Sequence, residues 1–382
     1  MTRVYLDHNA TSPLRPVARA AAALDALGNP SSVHAEGRAA RGLVEAARAR
    51  IAAGLGVAAK SVVFTSGATE AANLALTPSL QRGRGAAPFD LLLIGAGEHP
   101  AVLSGHRFAA DAVETVALTA DGALSLDALT AALARRSGRR VALSLQAANN
   151  ETGVIQPVAE AAALVHATGG LVICDATQAV GRIETTFATT GADLLFFSSH
   201  KIGGPAGAGA LVFADETLHI REPLLRGGGQ ESGRRAGTEN VAAICGFAAA
   251  FGEATAALSA EAARLTALRD KSETAVLAAL PEAMIFGRGA RRLPNTVAFA
   301  TPAMKAQTLL MALDLEGVAV SSGSACSSGK VKASHVLEAM GYKGGDALRL
   351  SLGWSSTAKD VELFGIALAR VVERIRSRQS AA

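Results

Sequence analysis

Apolar residues fall along this chain in two rhythms. Short, continuously apolar runs at 61–65 (SVVFT), 91–94, 113–118, 141–146, 171–176, 193–199 and 209–213 read as strands buried on both faces. Between several of them, 69–76, 126–135 and 158–167 read as helices. Pro16 suits the first turn of a helix, strong helix formers follow from 17 to 27, and Gly28 stops it. A second amphipathic helix is predicted over about 37–53. Strands alternating with helices predict an α/β fold: a large domain with a mostly parallel sheet covered by helices. From 239 to 280 the chain reads as long helix in more than one piece. Beyond Pro281 the pattern is mixed, with strand-like 296–299, helix-like 305–315 and strand-like 318–321. That change predicts a smaller α/β C-terminal domain, joined by the extreme N-terminus. The division is 15–260 for the large domain, and 1–14 with 261–382 for the small one.

Composition narrows the class. A chain of 382 residues exceeds one compact core. With 49% hydrophobic and 18% charged residues, neither disorder nor a coiled coil fits. The net charge of +4 is spread without a lysine or arginine block, and aromatics are only 4%, which argues against dedicated nucleic-acid binding. No apolar run approaches the ~18–20 residues of a membrane span, and Asp7 is reached without an apolar signal core. Three cysteines, with no CxxC, indicate neither a disulfide framework nor a metal site and suit a reducing cytoplasm. A large soluble enzyme is the expectation.

In open α/β sheets, ligands bind beyond the carboxyl ends of the strands, and four such ends carry chemistry here. In FTSGATEAANLAL (64–76) the strand breaks at Gly67 and a helix opens with Ala68-Thr69, a cradle for phosphate at a helix N-terminus. Alone, Thr69 fits an N-cap equally well. In LVICDATQAVG, Asp175 closes an apolar strand with Gln178 three residues on. Such a carboxylate can hold a protonated heterocyclic nitrogen, although by itself a helix-capping aspartate is the better reading. In DLLFFSSHKIGGPAGAG, Lys201 follows a buried strand and precedes a glycine-rich loop. A lysine sheltered there loses hydration, its pKa falls, and it becomes competent for Schiff-base chemistry; the alternative is a strand-end lysine reaching solvent. In GAGEHPAV, His99 can stack on a ring or move protons, as few isolated histidines do. Together the cradle, the carboxylate and the lysine are what pyridoxal 5′-phosphate requires.

The cysteines differ in setting. Cys174 falls in an apolar strand and Cys245 in an alanine-rich helix, and both read as inert core residues. Cys326 lies in SSGSACSSGKVKASHVL, whose small residues predict a flexible surface loop. A free thiol there is a liability unless it is used. Gly329-Lys330 is no nucleotide P-loop, since Ser324 and Val331 stand where that motif needs glycine and Ser/Thr.

With these residues assembled, the chain resembles the cysteine desulfurases of the NifS/IscS subgroup, within the class V aminotransferase family of fold-type I pyridoxal phosphate enzymes. The resemblance spans nearly the whole chain: YLDHNATSP (5–13), GNPSSVHAEGR (28–38), FTSGATEAANLAL, EHPAV (98–102), ANNETGVIQP (148–157), DATQAVG, SSHKIGGPAGAG, GGGQESGRRAGTEN (227–240), LPNT (293–296), SSGSACSSG and RLSLG (349–353). The short SSGSACSSG form, without the RSGHHC-like pattern of the other desulfurase subgroup, points to NifS/IscS. The resemblance implies that sulfur is removed from L-cysteine, leaving L-alanine and a persulfide on Cys326, carried by a loop at about 321–335. It assigns Lys201 to the cofactor aldehyde, Asp175 to the ring nitrogen, Gln178 to the ring hydroxyl, and His99 to ring stacking and proton transfer. It gives the phosphate to Ala68, Thr69, Ser198 and His200, with Thr238 of a partner subunit, and the substrate carboxylate to Arg349 helped by Asn150, which also lies in the cofactor site. A cytoplasmic homodimer passing sulfur to an iron–sulfur scaffold or other acceptor protein follows by the same likeness. His8, Ser12 and Ala333 depart from the common Asn, Thr and Pro. Another pyridoxal phosphate enzyme, such as a selenocysteine lyase, would share the sheet sites but need no loop thiol.

Overall fold

The structure, a computed structural model, describes residues 3–24, 28–83, 87–302, 304–322, 333–345 and 347–380. Seven strands, β1 (Val62–Thr65), β2 (Leu91–Gly95), β3 (Val113–Val116), β4 (Val141–Ser144), β5 (Leu171–Asp175), β6 (Leu194–Ser198) and β7 (Gly209–Phe213), form one sheet in the order β1-β7-β6-β5-β4-β2-β3. All run parallel except β7, which is antiparallel to both neighbours. The chain between β6 and β7 holds only a single 3-10 turn, Ser199–Ile202. That is too short for the crossover a parallel pair needs, so β7 folds straight back.

Strand alternation explains why these runs are apolar throughout. On β5, Val172 and Cys174 enter one core while Leu171 and Ile173 enter the core on the opposite face. The first face is covered by α1 (Pro16–Ala22), α2 (Ala35–Leu55), α4 (Leu126–Arg135), α5 (Val158–His166) and α6 (Val241–Ala256); α3 (Ala68–Ala75) covers the second. On α2 the stripe Ala40, Val44, Ala47, Ile51 and Leu55 is buried at helical spacing. The helix stops at Gly56, whose φ of 74° is left-handed.

A separate core gathers Val4 and Leu6 with residues between Leu265 and Val372. It lies around an antiparallel sheet of β8 (Met284–Ile285), β9 (Thr296–Ala300), β10 (Ser321–Ser322) and β11 (Leu348–Ser351), ordered β8-β9-β11-β10. The helices α7 (Leu258–Ala279), α8 (Ala306–Leu315) and α9 (Ala358–Ser380) supply its apolar faces. Val4–Tyr5 pairs in parallel with Val318–Ala319, which joins this segment to the smaller body.

Three local expectations change. The first helix ends at Ala22 because Ala23 leaves helical geometry (φ −81°, ψ 82°). The expected 318–321 strand divides, its first part pairing with Val4–Tyr5 and its second joining the four-stranded sheet. Cys245 is half-buried at the edge of the first core, because α6 turns that position away from its most buried face; Cys174 is fully buried. Among the described residues no single helix is long and apolar enough to cross a membrane.

The segment carrying Thr238 is tied to α2 by a buried ion pair. Glu231 receives Arg48 Nη1 at 2.6 Å, Arg48 Nη2 at 2.8 Å and Phe64 N at 3.0 Å. These contacts hold Glu231 at a left-handed φ of 49°. Arg48→Ala leaves that carboxylate buried without its cation, and destabilisation by about 3–5 kcal/mol is expected. Urea unfolding measures it; a midpoint unchanged at constant m-value would refute it.

Candidate active site

A cleft of about 900 Å³ opens where the carboxyl ends of the large sheet meet the smaller body. Ala68, Thr69, His99, Asn150, Asp175, Gln178, Ser198, His200, Lys201 and Arg349 all line it. Thr238 is exposed and lies outside the cleft of its own chain. Cys326 lies outside the described residues. The positions flanking its segment, Ser321 and Ser322 on one side and Ala333 and His335 on the other, line the cleft.

At one end, α3 presents the unbonded amides of its first turn. A Cβ built on Gly67 would sit 3.8 Å from Ser198 Oγ, so the β6 terminus faces the start of α3 closely. The turn also needs Gly209, since a Cβ there would lie 2.6 Å from Gly67 Cα. Arg235 braces this corner through Glu70, Nε to Oε1 at 2.9 Å, while Glu70 Oε2 accepts from Ser66 N at 2.8 Å. Burial, with the Lys201 and Arg182 charges, lowers the His200 pKa to about 4, so its ring is neutral.

In mid-cleft Asp175 accepts from Thr177 N at 2.8 Å. Burial raises its pKa; the Thr177 hydrogen bonds and the charges of His99 and Lys201 oppose this. Beneath it, Glu98 is wholly buried, bonded to Gln146 N through one oxygen and unpaired at the other. Burial first, and the Asp175 charge second, push Glu98 well above the carboxylate range, so it is the neutral acid of the two. Ala101 N donates to His99 Nδ1 at 3.1 Å, which leaves the proton of the neutral ring on Nε2. Burial lowers the His99 pKa as well.

Lys201 Nζ donates to the carbonyls of Asn9 and Ala10, each at 2.7 Å. Burial, followed by Arg349 and Arg182, lowers its pKa to about 8, against the opposing pull of Asp7 and Asp175. About a tenth of the amine is therefore free base at pH 7, far more than an exposed lysine offers.

The N-terminal strap crosses between the two bodies and closes this side of the site. Asn9 Nδ2 reaches Thr296 Oγ1 at 2.9 Å, Gln178 Nε2 reaches Asn9 O at 3.1 Å, and Ser12 N reaches His200 O at 2.9 Å. The two departures in this strap touch one another, His8 Nδ1 lying 2.7 Å from Ser12 Oγ. The imidazole packs on Gly353, where any side chain would collide with it. Burial and three nearby arginines hold the His8 pKa at about 3, so the larger ring adds no charge.

Several residues in the cleft wall or directly behind it carry no separate signal in the sequence, although most sit inside the motifs above. Asp7 pairs with Arg349, Nη2 to Oδ1 at 2.7 Å. Glu151 accepts from Ser334 Oγ at 2.5 Å, and His335 Nε2 donates to Glu98 O at 2.9 Å. Arg182 carries no motif signal; it is buried beside Gln178, with its pKa lowered to about 9 by burial and by Arg349.

Comparison with known proteins agrees with this geometry. The profile of the family described as Aminotransferase class-V matches residues 4–364. A cysteine desulfurase of Frankia sp. is 39% identical, covering 98% of this chain and 92% of that protein. An IscS-like cysteine desulfurase of Mycobacterium tuberculosis is 38% identical, covering 99% of this chain and 98% of that protein. The X-ray structure of a NifS-like protein from Rickettsia africae superposes with a TM-score of 0.86 at 32% identity, covering 97% of this chain and 100% of that one. The chain belongs to the class V aminotransferase family.

That family works with pyridoxal 5′-phosphate, and the residues present fit it. The start of α3 offers unbonded amides, and a low-pKa amine and a buried carboxylate stand in the same cavity.

Proposed function

We infer that this protein is a pyridoxal phosphate-dependent cysteine desulfurase, taking sulfur from L-cysteine to leave L-alanine and a persulfide on Cys326. The observation that carries the reading is the convergence of Lys201, Asp175, His99 and Arg349 in one cleft, whose rim is formed by the residues on either side of the Cys326 segment. Two full-length relatives named as cysteine desulfurases support the activity. The domain division proposed is 15–260 against 1–14 with 261–382, supported by the separate apolar cores and by the break between α6 and α7.

The cofactor supplies an aldehyde and an electron-accepting ring that stabilises negative charge at the α-carbon of a bound amino acid. Lys201 holds the aldehyde, and its Nζ, once free, takes the α-proton; a pKa of about 8 suits that transfer near neutral pH. Asp175 holds the ring nitrogen and Gln178 the ring hydroxyl. Ala68, Thr69, Ser198 and His200 hold the phosphate, with Thr238 contributed by a second copy. His99 returns protons from Nε2, the nitrogen that Ala101 N–H leaves protonated. Arg349 is pre-aimed at the substrate carboxylate, assisted by Asn150. Its Nη1 rests on Asn150 O at 3.1 Å, while its Nε is buried without a partner, a donor left open for an anion. The protein is proposed to act as a cytoplasmic homodimer, giving its sulfur to an iron–sulfur scaffold or another acceptor protein.

Measuring L-alanine and sulfide formed from L-cysteine tests the activity. Cys326→Ala is expected to keep the visible absorbance and its change on adding L-cysteine, while sulfide release falls to background. Normal sulfide release by that variant would remove Cys326 from the reaction.

A further inference from the structure

Arg349 is held in a way that assigns work to a neighbour. Its side chain is only 6% exposed, and of its five N–H donors two are already committed, Nη1 to Asn150 O at 3.1 Å and Nη2 to Asp7 Oδ1 at 2.7 Å. Those two bonds, on different nitrogens, fix the plane of the guanidinium. They leave Nε–H buried and unpartnered beside the cleft.

Asp7 itself is pinned. It bridges in parallel to Ser351, two residues from Arg349 on the same strand. Ser351 N donates to Leu6 O at 2.7 Å, His8 N to Ser351 O at 3.2 Å, and Asn9 N to Ser351 Oγ at 2.9 Å. Across the turn, the Tyr5 hydroxyl donates its one proton to Thr11 O at 2.7 Å, with Asp7 O 3.2 Å away. A loop aspartate that only neutralised charge would need none of this stitching.

We propose that Asp7 is a positioning residue for substrate recognition: it orients the Arg349 guanidinium so that its open donors meet the α-carboxylate of the amino acid. This deepens the desulfurase reading and rests on it. Asp7 stays in place when substrate binds, and the substrate takes the donors that Asp7 and Asn150 leave free. Asp7 also offsets positive charge at Lys201, which faces Arg349, Arg182 and Asp175 as well. Removing the carboxylate therefore disfavours the protonated form of the Lys201 nitrogen.

The test compares two ligands of the holoenzyme, L-alanine, which carries the carboxylate, and cysteamine, which lacks it. In Asp7→Asn the half-saturating L-alanine concentration for the visible spectral change is expected to rise about 10-fold or more. Cysteamine should bind as in the wild type, and the pH midpoint of the chromophore should move down. Asp7→Glu, with charge retained at a longer reach, should fall between the two. Unchanged L-alanine binding in Asp7→Asn overturns the proposal, as does an equal loss for both ligands, which would mark a general disturbance of the cleft. A wild-type holoenzyme indifferent to both ligands overturns instead the desulfurase reading, and this proposal with it.

Discussion

Lys201→Ala is expected to leave a folded protein without the yellow absorbance of the wild type, with L-cysteine turnover lowered by at least about 10³-fold. Among the described residues, Lys201 is the only lysine lining the cleft, so no other lysine amine there can take over its nucleophilic or basic work. Its pKa of about 8 comes from burial and two neighbouring arginines, and an amine added from solvent meets neither influence on a tether. Folding should survive, because the lost contacts are two bonds to the carbonyls of Asn9 and Ala10 at the edge of a cleft that water can enter. Visible spectra, circular dichroism and single-turnover assays with and without methylamine make the check. Partial recovery with the small amine would show that the missing group is the base. An unchanged spectrum with normal turnover would sink the assignment.

The large sheet was legible because burial on both faces leaves an unambiguous mark. Runs such as Leu171–Asp175 and Leu194–Ser198 are apolar at every inward position of two cores, so no polar alternation blurs them. The smaller body was harder. Met284–Ile285 and Ser321–Ser322 are two-residue strands whose existence depends on partners far along the chain, which no local pattern contains. The helix Ala358–Ser380 has no counterpart in the sequence-based expectation, although Val361, Phe364, Leu368 and Val371 form a stripe at helical spacing. Its many charges lower the mean hydropathy and draw attention away from that stripe.

The site divides along a similar line. Residues at the ends of buried strands are legible together rather than singly: Asp175 directly follows four apolar residues and Lys201 stands beyond such a run after three intervening residues, and each alone has a structural reading that their conjunction in one sheet displaces. Residues whose work depends on a second element are not legible that way. Asp7 matters through Arg349, more than 300 positions away within the same smaller body, and Glu151 through Ser334 across the two bodies; neither bond exists until distant segments have met. Arg182 looks like any surface arginine in the sequence, and only its buried contacts with Gln178 and His8 O distinguish it. The His8 and Ser12 departures looked independent on paper, yet they contact one another, as a paired exchange within one turn would.

Asp175→Asn is expected to lower turnover by about 10³-fold while the cofactor still binds. The amide is the same size and keeps an oxygen for Thr177 N, now 2.8 Å from Asp175 Oδ1, so the packing of the strand end is preserved. What is lost is the negative charge that holds a proton on the ring nitrogen, and with it the withdrawal of electrons from the substrate α-carbon. Nothing nearby replaces it: burial, the larger cause of the raised Glu98 pKa, persists without Asp175, and the carboxylate of Asp7 is engaged by Arg349. The sign of the accompanying spectral change is fixed, since removing an anion disfavours a protonated cation; the pH midpoint of the holoenzyme chromophore should fall. Glu98→Gln is the matched control, because replacing an already neutral acid with an amide should leave turnover within about threefold. A large defect in Glu98→Gln together with a small one in Asp175→Asn would mean that the two carboxyls have exchanged roles, with Glu98 the anion that serves the ring.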